Sequence, residues 1–193
     1  MLRRLSTMLL LGCTLSGSIA AQVAAQPGEP RFALEVERVA GADGGKVYQI
    51  KSSAKVAAMP GVVWGILTDY EHFADYLPNL HSVRVLSRND NTVVVEQLSE
   101  ARFLFFSQAI RLVVQVHERA PDRIDISLVE GDMKVYRARW ELTPLAGASG
   151  TRVEYNATIE PKFSVPEAVE TSVVRKDVAA MMAAMLSRLD RRE

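Results

Sequence analysis

Ile110-Arg111-Leu112-Val113-Val114-Gln115-Val116-His117 is the stretch on which the fold turns. Ile110, Leu112, Val114 and Val116 share one parity, while Arg111, Gln115 and His117 take the other. An extended chain sends alternate side chains to opposite faces, so this run predicts a strand with one covered and one wet face. The pattern repeats downstream. Ile124, Ile126 and Leu128 oppose Asp125 and Ser127. Tyr136, Ala138, Trp140 and Leu142 oppose Arg137, Arg139 and Glu141, and Val153, Tyr155, Ala157 and Ile159 oppose Arg152, Glu154, Asn156 and Thr158. Upstream, Val93, Val95, Ala101, Phe103 and Phe105 share a parity. Phe32, Leu34 and Val36, then Tyr48, Ile50, Ser52, Ala54 and Val56, form two earlier strands around a Gly41–Gly45 turn cluster. Polar residues on every outer face imply one antiparallel sheet with one solvated side.

Helical spacing occurs in three places. Met59-Pro60 opens a helix through Thr68, with Val62, Val63, Ile66 and Leu67 on its apolar side. Asp69 is placed to cap a second short helix, Tyr70 to Tyr76, which Pro78 ends. The long helical pattern runs from Val165 to Arg191, with Val169, Val173, Val174, Val178, Met181, Met182, Met185, Leu186 and Leu189 as its stripe. A sheet with one dry face needs a cover, and this helix supplies it. The expected class is α+β: a curved antiparallel β-sheet wrapped around a long C-terminal α-helix, with two short helices after an early strand.

The chain has 193 residues, 48% of them hydrophobic, which suits one folded domain and excludes wholesale disorder. Residues 1–25 read as a signal peptide, with Arg3 and Arg4 before a short apolar run and a small-residue exit. Residues 26–30 form a short N-terminal segment and 31–193 the domain. Leu10-Leu11-Gly12-Cys13 approximates a lipobox, so lipid anchoring through Cys13 is the alternative to cleavage. The expected location is periplasmic or secreted. The sequence has 23 basic and 23 acidic residues; without residues 1–20 the count is 23 − 2 = 21 basic against 23 acidic. That balance argues against a nucleic-acid partner. One cysteine makes neither an internal disulfide nor a thiolate zinc cluster.

Two segments carry a family resemblance: Val62-Val63-Trp64-Gly65-Ile66-Leu67-Thr68-Asp69-Tyr70-Glu71-His72-Phe73, continuing through Tyr76-Leu77-Pro78 to Ser82-Val83, and Gly131-Asp132-Met133 through Trp140-Glu141-Leu142-Thr143-Pro144. Over roughly residues 46–190 the chain resembles the START-like (SRPBCC) superfamily, in particular its coenzyme-Q-binding-protein-like and polyketide cyclase/dehydrase and lipid-transport members. Quinone-binding relatives typically carry Gly-Pro-Phe where this chain has Gly131-Asp132-Met133. The resemblance implies a helix-grip fold with a space between sheet and helix.

Parity points Phe103, Phe105, Tyr136, Trp140 and Tyr155 toward that space, with Val178, Met181, Met182 and Met185 opposite on the helix. These are the candidate ligand-binding residues, the methionines suiting an adaptable lining. Glu130 continues the inward parity of Ile124, Ile126 and Leu128. Facing the cavity, it would bind a ligand hydroxyl, pair with an arginine or act as a general acid/base, its pKa raised by desolvation. The competing reading is a bulge near Gly131 that turns it into solvent. Glu96, Glu100 and Arg102 read as a solvated face. His72, His81 and His117 match no metal spacing, and neither metal nor cofactor is expected.

The expected function is non-enzymatic: binding or transfer of a lipophilic small molecule such as a quinone, a fatty acyl chain or another lipid. Transient membrane contact could involve Arg175, Lys176, Arg188, Arg191 and Arg192. The alternatives are a cyclase or dehydratase using Glu130, and a fully packed interaction module. Oligomeric state has no signature in the sequence.

Overall fold

The computed structural model describes residues 31–103, 107–148, 150–164 and 170–191. The segments containing Cys13, Phe105 and Val169 lie outside these residues. Two strands open the domain, β1 (Phe32–Ala40) and β2 (Lys46–Val56). Their turn is closed by the Gly41 N–H donating to the Gly45 carbonyl at 2.8 Å, with Gly44 at φ +72°. Helix α1 (Pro60–Leu67) follows, then a 3-10 helix over Tyr70–Asp75. Proline suits the first helical position because its missing N–H has no partner to lose there. Asp69 does not cap the 3-10 helix; its carboxylate instead meets His72 Nδ1 at 2.6 Å. Six strands form the meander: β3 (Leu80–Asn89), β4 (Thr92–Arg102), β5 (Ser107–Arg119), β6 (Arg123–Gly131), β7 (Met133–Pro144) and β8 (Thr151–Pro161). Helix α2 (Glu170–Asp190) ends the domain.

All eight strands make one curved antiparallel sheet in the order β1-β2-β8-β7-β6-β5-β4-β3. The helical insertion after β2 carries the chain to the far edge, and the meander returns until β8 closes against β2. Register breaks in β3, in β6 against β5, and in β7 against β8 are the bends, since an extra residue in one strand increases its local twist. The inner face carries the alternation read from sequence: Leu112, Val114, Val116, Ile124, Trp140, Leu142, Val153 and Tyr155 are all buried.

Helix α2 crosses that face and divides into two halves. Met182, Leu186 and Leu189 are 1–3% exposed and pack into the core. Val174, Val178 and Met181, nearer the N-terminus, are only half-buried against it. Hydrogen bonds fasten the helix at its flank: Arg175 Nη1 donates to the Leu34 carbonyl at 3.0 Å and Arg31 to Asp190 Oδ1 at 3.0 Å.

Candidate functional site

Where the first half of α2 stands off the sheet, a cavity of about 260 Å³ remains. Its walls come from seven strands, with Ile50 of β2 and Leu80 of β3 among them. Val95, Gln97, Ser99 and Ala101 come from β4, and Ile110, Leu112, Val114 and Val116 from β5. Ile124 and Ile126 of β6, Met133, Tyr136 and Trp140 of β7, and Tyr155 and Ile159 of β8 continue the surface. Asp177, Val178, Met181 and Met185 of α2 form the roof, with Leu67, Tyr70, Phe73 and the loop residues Leu77, Pro78 and Asn79 at the side.

The cavity has an apolar end and a polar end. From Val116 to Ile110 is six residues, roughly 20 Å of strand. At the Val116 end stand Leu67, Ile124 and Tyr70. The Tyr70 hydroxyl donates to Glu118 Oε1 at 2.8 Å, and Arg88 Nη1 holds the same carboxylate at 3.2 and 3.1 Å. Burial, and then the neighbouring Glu118, push the Tyr70 phenol well above its usual range. Edge-to-face contacts from Tyr70 to Phe73 (5.6 Å) and Phe73 to Tyr76 (6.1 Å) stiffen the side wall.

At the Ile110 end lie Asn79, Gln97, Ser99, Glu100 and Asp177. Register places Ser99 beside Ile110 and Gln97 beside Leu112. Asn79 Nδ2 donates to Asp177 Oδ1 at 3.3 Å, bridging the loop to α2. Burial raises the Asp177 carboxyl to about 6; Lys176 and Arg102 oppose the shift without cancelling it. Deeper in, the Trp140 and Tyr155 rings lie 4.5 Å apart at 40°. Burial raises the pKa of both Tyr155 and Tyr136, whose phenols are hydrogen-bonded to each other.

Of the residues singled out in the sequence, Tyr136, Trp140, Tyr155, Val178, Met181 and Met185 line this one cavity. Met182 does not: at 1% exposure it is core. Phe103 is half-buried against the core but outside the lining, and Phe105 lies outside the described residues. Glu130 requires a correction. Val113 pairs with Glu130 and Val114 with Leu128, so Val129 is an extra residue in β6 and alternation restarts after it. Glu130 therefore emerges on the outer face, where Arg111 Nη1 donates to its Oε1 at 2.9 Å. Gly131 enables the shift: its φ is +134°, and a Cβ there would stand 2.2 Å from the Arg111 carbonyl.

Glu96 is corrected too. It lies on the outer face but is only 7% exposed, enclosed by Arg84 and Arg111. Their hydrogen bonds, that of Arg84 foremost, hold its carboxyl below the usual range. Glu100, read as solvated, borders the cavity. Sequence reasoning also missed Gln97, Ser99 and Asp177, although signals were present. Gln97 and Ser99 continue the parity of Val95, and Asp177 falls at helical spacing between Val174 and Met181. Among the described residues, no group of three or more His, Cys, Asp or Glu side chains is arranged to hold a metal.

The comparisons agree with this geometry. No curated protein matches the chain in sequence. Solved structures do match in fold. A START superfamily protein from Mycobacterium smegmatis aligns at TM-score 0.65 and 18% identity, covering 75% of this chain and 99% of its own. A STAR-related lipid transfer protein from Xanthomonas axonopodis gives 0.61 and 20%, covering 80% and 98%. The Zhui aromatase/cyclase from Streptomyces sp. R1128 gives 0.64 and 16%, covering 76% and 95%. The profile of the family described as polyketide cyclase / dehydrase and lipid transport matches residues 56–186. The chain belongs to that family, as a START-like helix-grip domain.

Proposed function

We propose that this protein binds and carries a lipophilic small molecule, without transforming it, in the cavity between the sheet and α2. The observation that supports this most is the lining. Apolar side chains from seven strands and α2 surround it, and its ionisable carboxyls, Glu100 and Asp177, lie together at one end. An apolar ligand entering such a space gains about 25 cal/mol for each Å² of surface removed from water, less the cost of association. The half-buried Val174, Val178 and Met181 mark the part of α2 that a ligand can displace without breaking the packed second half. The N-terminal pattern supports export with removal of residues 1–25, or retention through Cys13, and transient contact with a membrane at the point of transfer.

The family description also covers cyclases and dehydrases, and the fold is shared with an aromatase/cyclase. Carriage is preferred because the acid/base candidate of the sequence, Glu130, is salt-bridged to Arg111 on the far side of the sheet. Native mass spectrometry of protein purified gently from its own host tests the reading. A stoichiometric lipophile is expected; repeated recovery of empty protein that also takes up no lipid in vitro would overturn it. N-terminal sequencing of the same sample tests export, with a start beyond residue 20 or an acylated Cys13 expected.

A further inference from the structure

The carrier reading leaves the ligand's polar end unspecified, and the cavity's charges constrain it. Among the described lining residues the charged side chains are Glu100 and Asp177; no lysine, arginine or histidine joins them. The cations near this end lie outside the lining, and Arg102 is paired with Glu100, which leaves Asp177, among the described residues, as the lining carboxylate without a salt bridge. Arg102 Nε donates to Glu100 Oε1 at 2.5 Å and is exposed, and Lys176, next to Asp177 on α2, is exposed as well. The remaining polar groups at this end, Asn79, Gln97 and Ser99, are neutral. A carboxylate or phosphate headgroup drawn in here would meet like charge with no cation in the described lining to pair with, only the neutral donors of Asn79, Gln97 and Ser99, in surroundings where water screens poorly. A hydroxyl or amide N–H would find acceptors: the Asp177 carboxylate, the Gln97 amide oxygen and the Ser99 hydroxyl.

We infer that Asp177, with Gln97 and Ser99 facing it across the cavity end, is the specificity subsite, and that it selects lipophiles whose polar end is an uncharged hydrogen-bond donor, an alcohol or amide, over fatty acids and other anionic lipids. This rests on the carrier reading. The raised Asp177 pKa accords with a carboxyl set in an apolar wall beside few cations.

The test is displacement of Nile red from delipidated protein by 1-decanol and by decanoate, at about pH 8 where Asp177 is ionised. The two competitors share a chain length and differ at the polar end. Decanol is expected to displace the dye at a concentration roughly tenfold lower than decanoate. Asp177→Asn, nearly isosteric, is expected to narrow that ratio to about threefold or less, mainly by improving decanoate. Asp177→Ser provides a second variant with the same expectation should the first fold poorly. Equal competition in the unchanged protein, or an unchanged ratio in a folded variant, overturns the subsite and leaves carriage standing. A merely structural Asn79–Asp177 tie would alter thermal stability without moving the ratio, and that result also overturns it. Failure of Nile red, decanol and decanoate alike to bind refutes carriage itself, and the subsite with it.

Discussion

Asn79 and Asp177 are 98 positions apart in sequence, yet the Asn79 amide donates to the Asp177 carboxylate at 3.3 Å and so ties the loop before β3 to the first half of α2. Asn79 adopts φ +63°, a left-handed conformation that asparagine tolerates better than most residues. The bond joins the two elements that border the cavity's polar end.

That carboxyl makes stability depend on pH. Its ordinary value of 3.8 rises to about 6 in the folded protein through burial. Between those values the native state holds a proton that the unfolded chain has released. Stability therefore falls as pH rises through that window, and the ionised group is a net cost above it. Asp177→Asn should raise the melting temperature near pH 8 and flatten the slope between about pH 4 and 6. Partial exposure and solvent screening keep the gain below what the shift alone implies. Urea titrations of both proteins across that range check it; parallel pH profiles would refute the assignment.

The two halves of α2 should respond unequally to truncation. Leu186→Ala removes a side chain 2% exposed and should cost about 2–5 kcal/mol. Val178→Ala, at the half-buried cavity roof, should cost about 1 kcal/mol or less. Chemical denaturation of the two variants measures the contrast.

Filling the space should separate binding from folding. Val178→Trp projects a larger side chain from the roof into the cavity and should abolish Nile red binding. Its stability should remain within about 1–3 kcal/mol of the parent. Dye titration beside thermal melting gives both readings on one sample.

Glu130→Gln should leave ligand binding unchanged, because the residue faces outward and bonds Arg111. A loss of binding would restore it to the site.

Gly131→Ala should destabilise by at least about 1–3 kcal/mol for the backbone conformation alone, and by more because the new methyl meets the Arg111 carbonyl rather than a flexible side chain. A denaturation midpoint equal to the parent's would contradict the close approach of β5 and β6.

Most of the sheet was legible because a period of two survives in a single sequence. Ile110 to Val116 and Tyr136 to Leu142 face inward as their parity requires. Tyr136, Trp140 and Tyr155 of the cavity lining follow from the same arithmetic, and Val178, Met181 and Met185 from the helical period of α2. Glu130 could not be placed that way. An extra residue resets parity, and its only local signal is the glycine that follows. Asp177 was obscured for a different reason: a charge in an apolar stripe looks like an interruption until the helix is seen to stand over a void. Glu96 needed two arginines from neighbouring strands, Arg84 and Arg111, and pairing across strands is invisible to periodicity.

Val129 is the hinge between two interiors. Draw it into the ladder opposite Val113, and unbroken alternation would swing the next carboxylate across the sheet, from a surface ion pair to the cavity wall beside Leu112. The cavity wall would then gain an acid in addition to Glu100 and Asp177. For a scaffold shared by carriers and cyclases, a one-residue step of register in β6 is then enough to change which acid faces the interior, without altering any other side chain of the cavity wall.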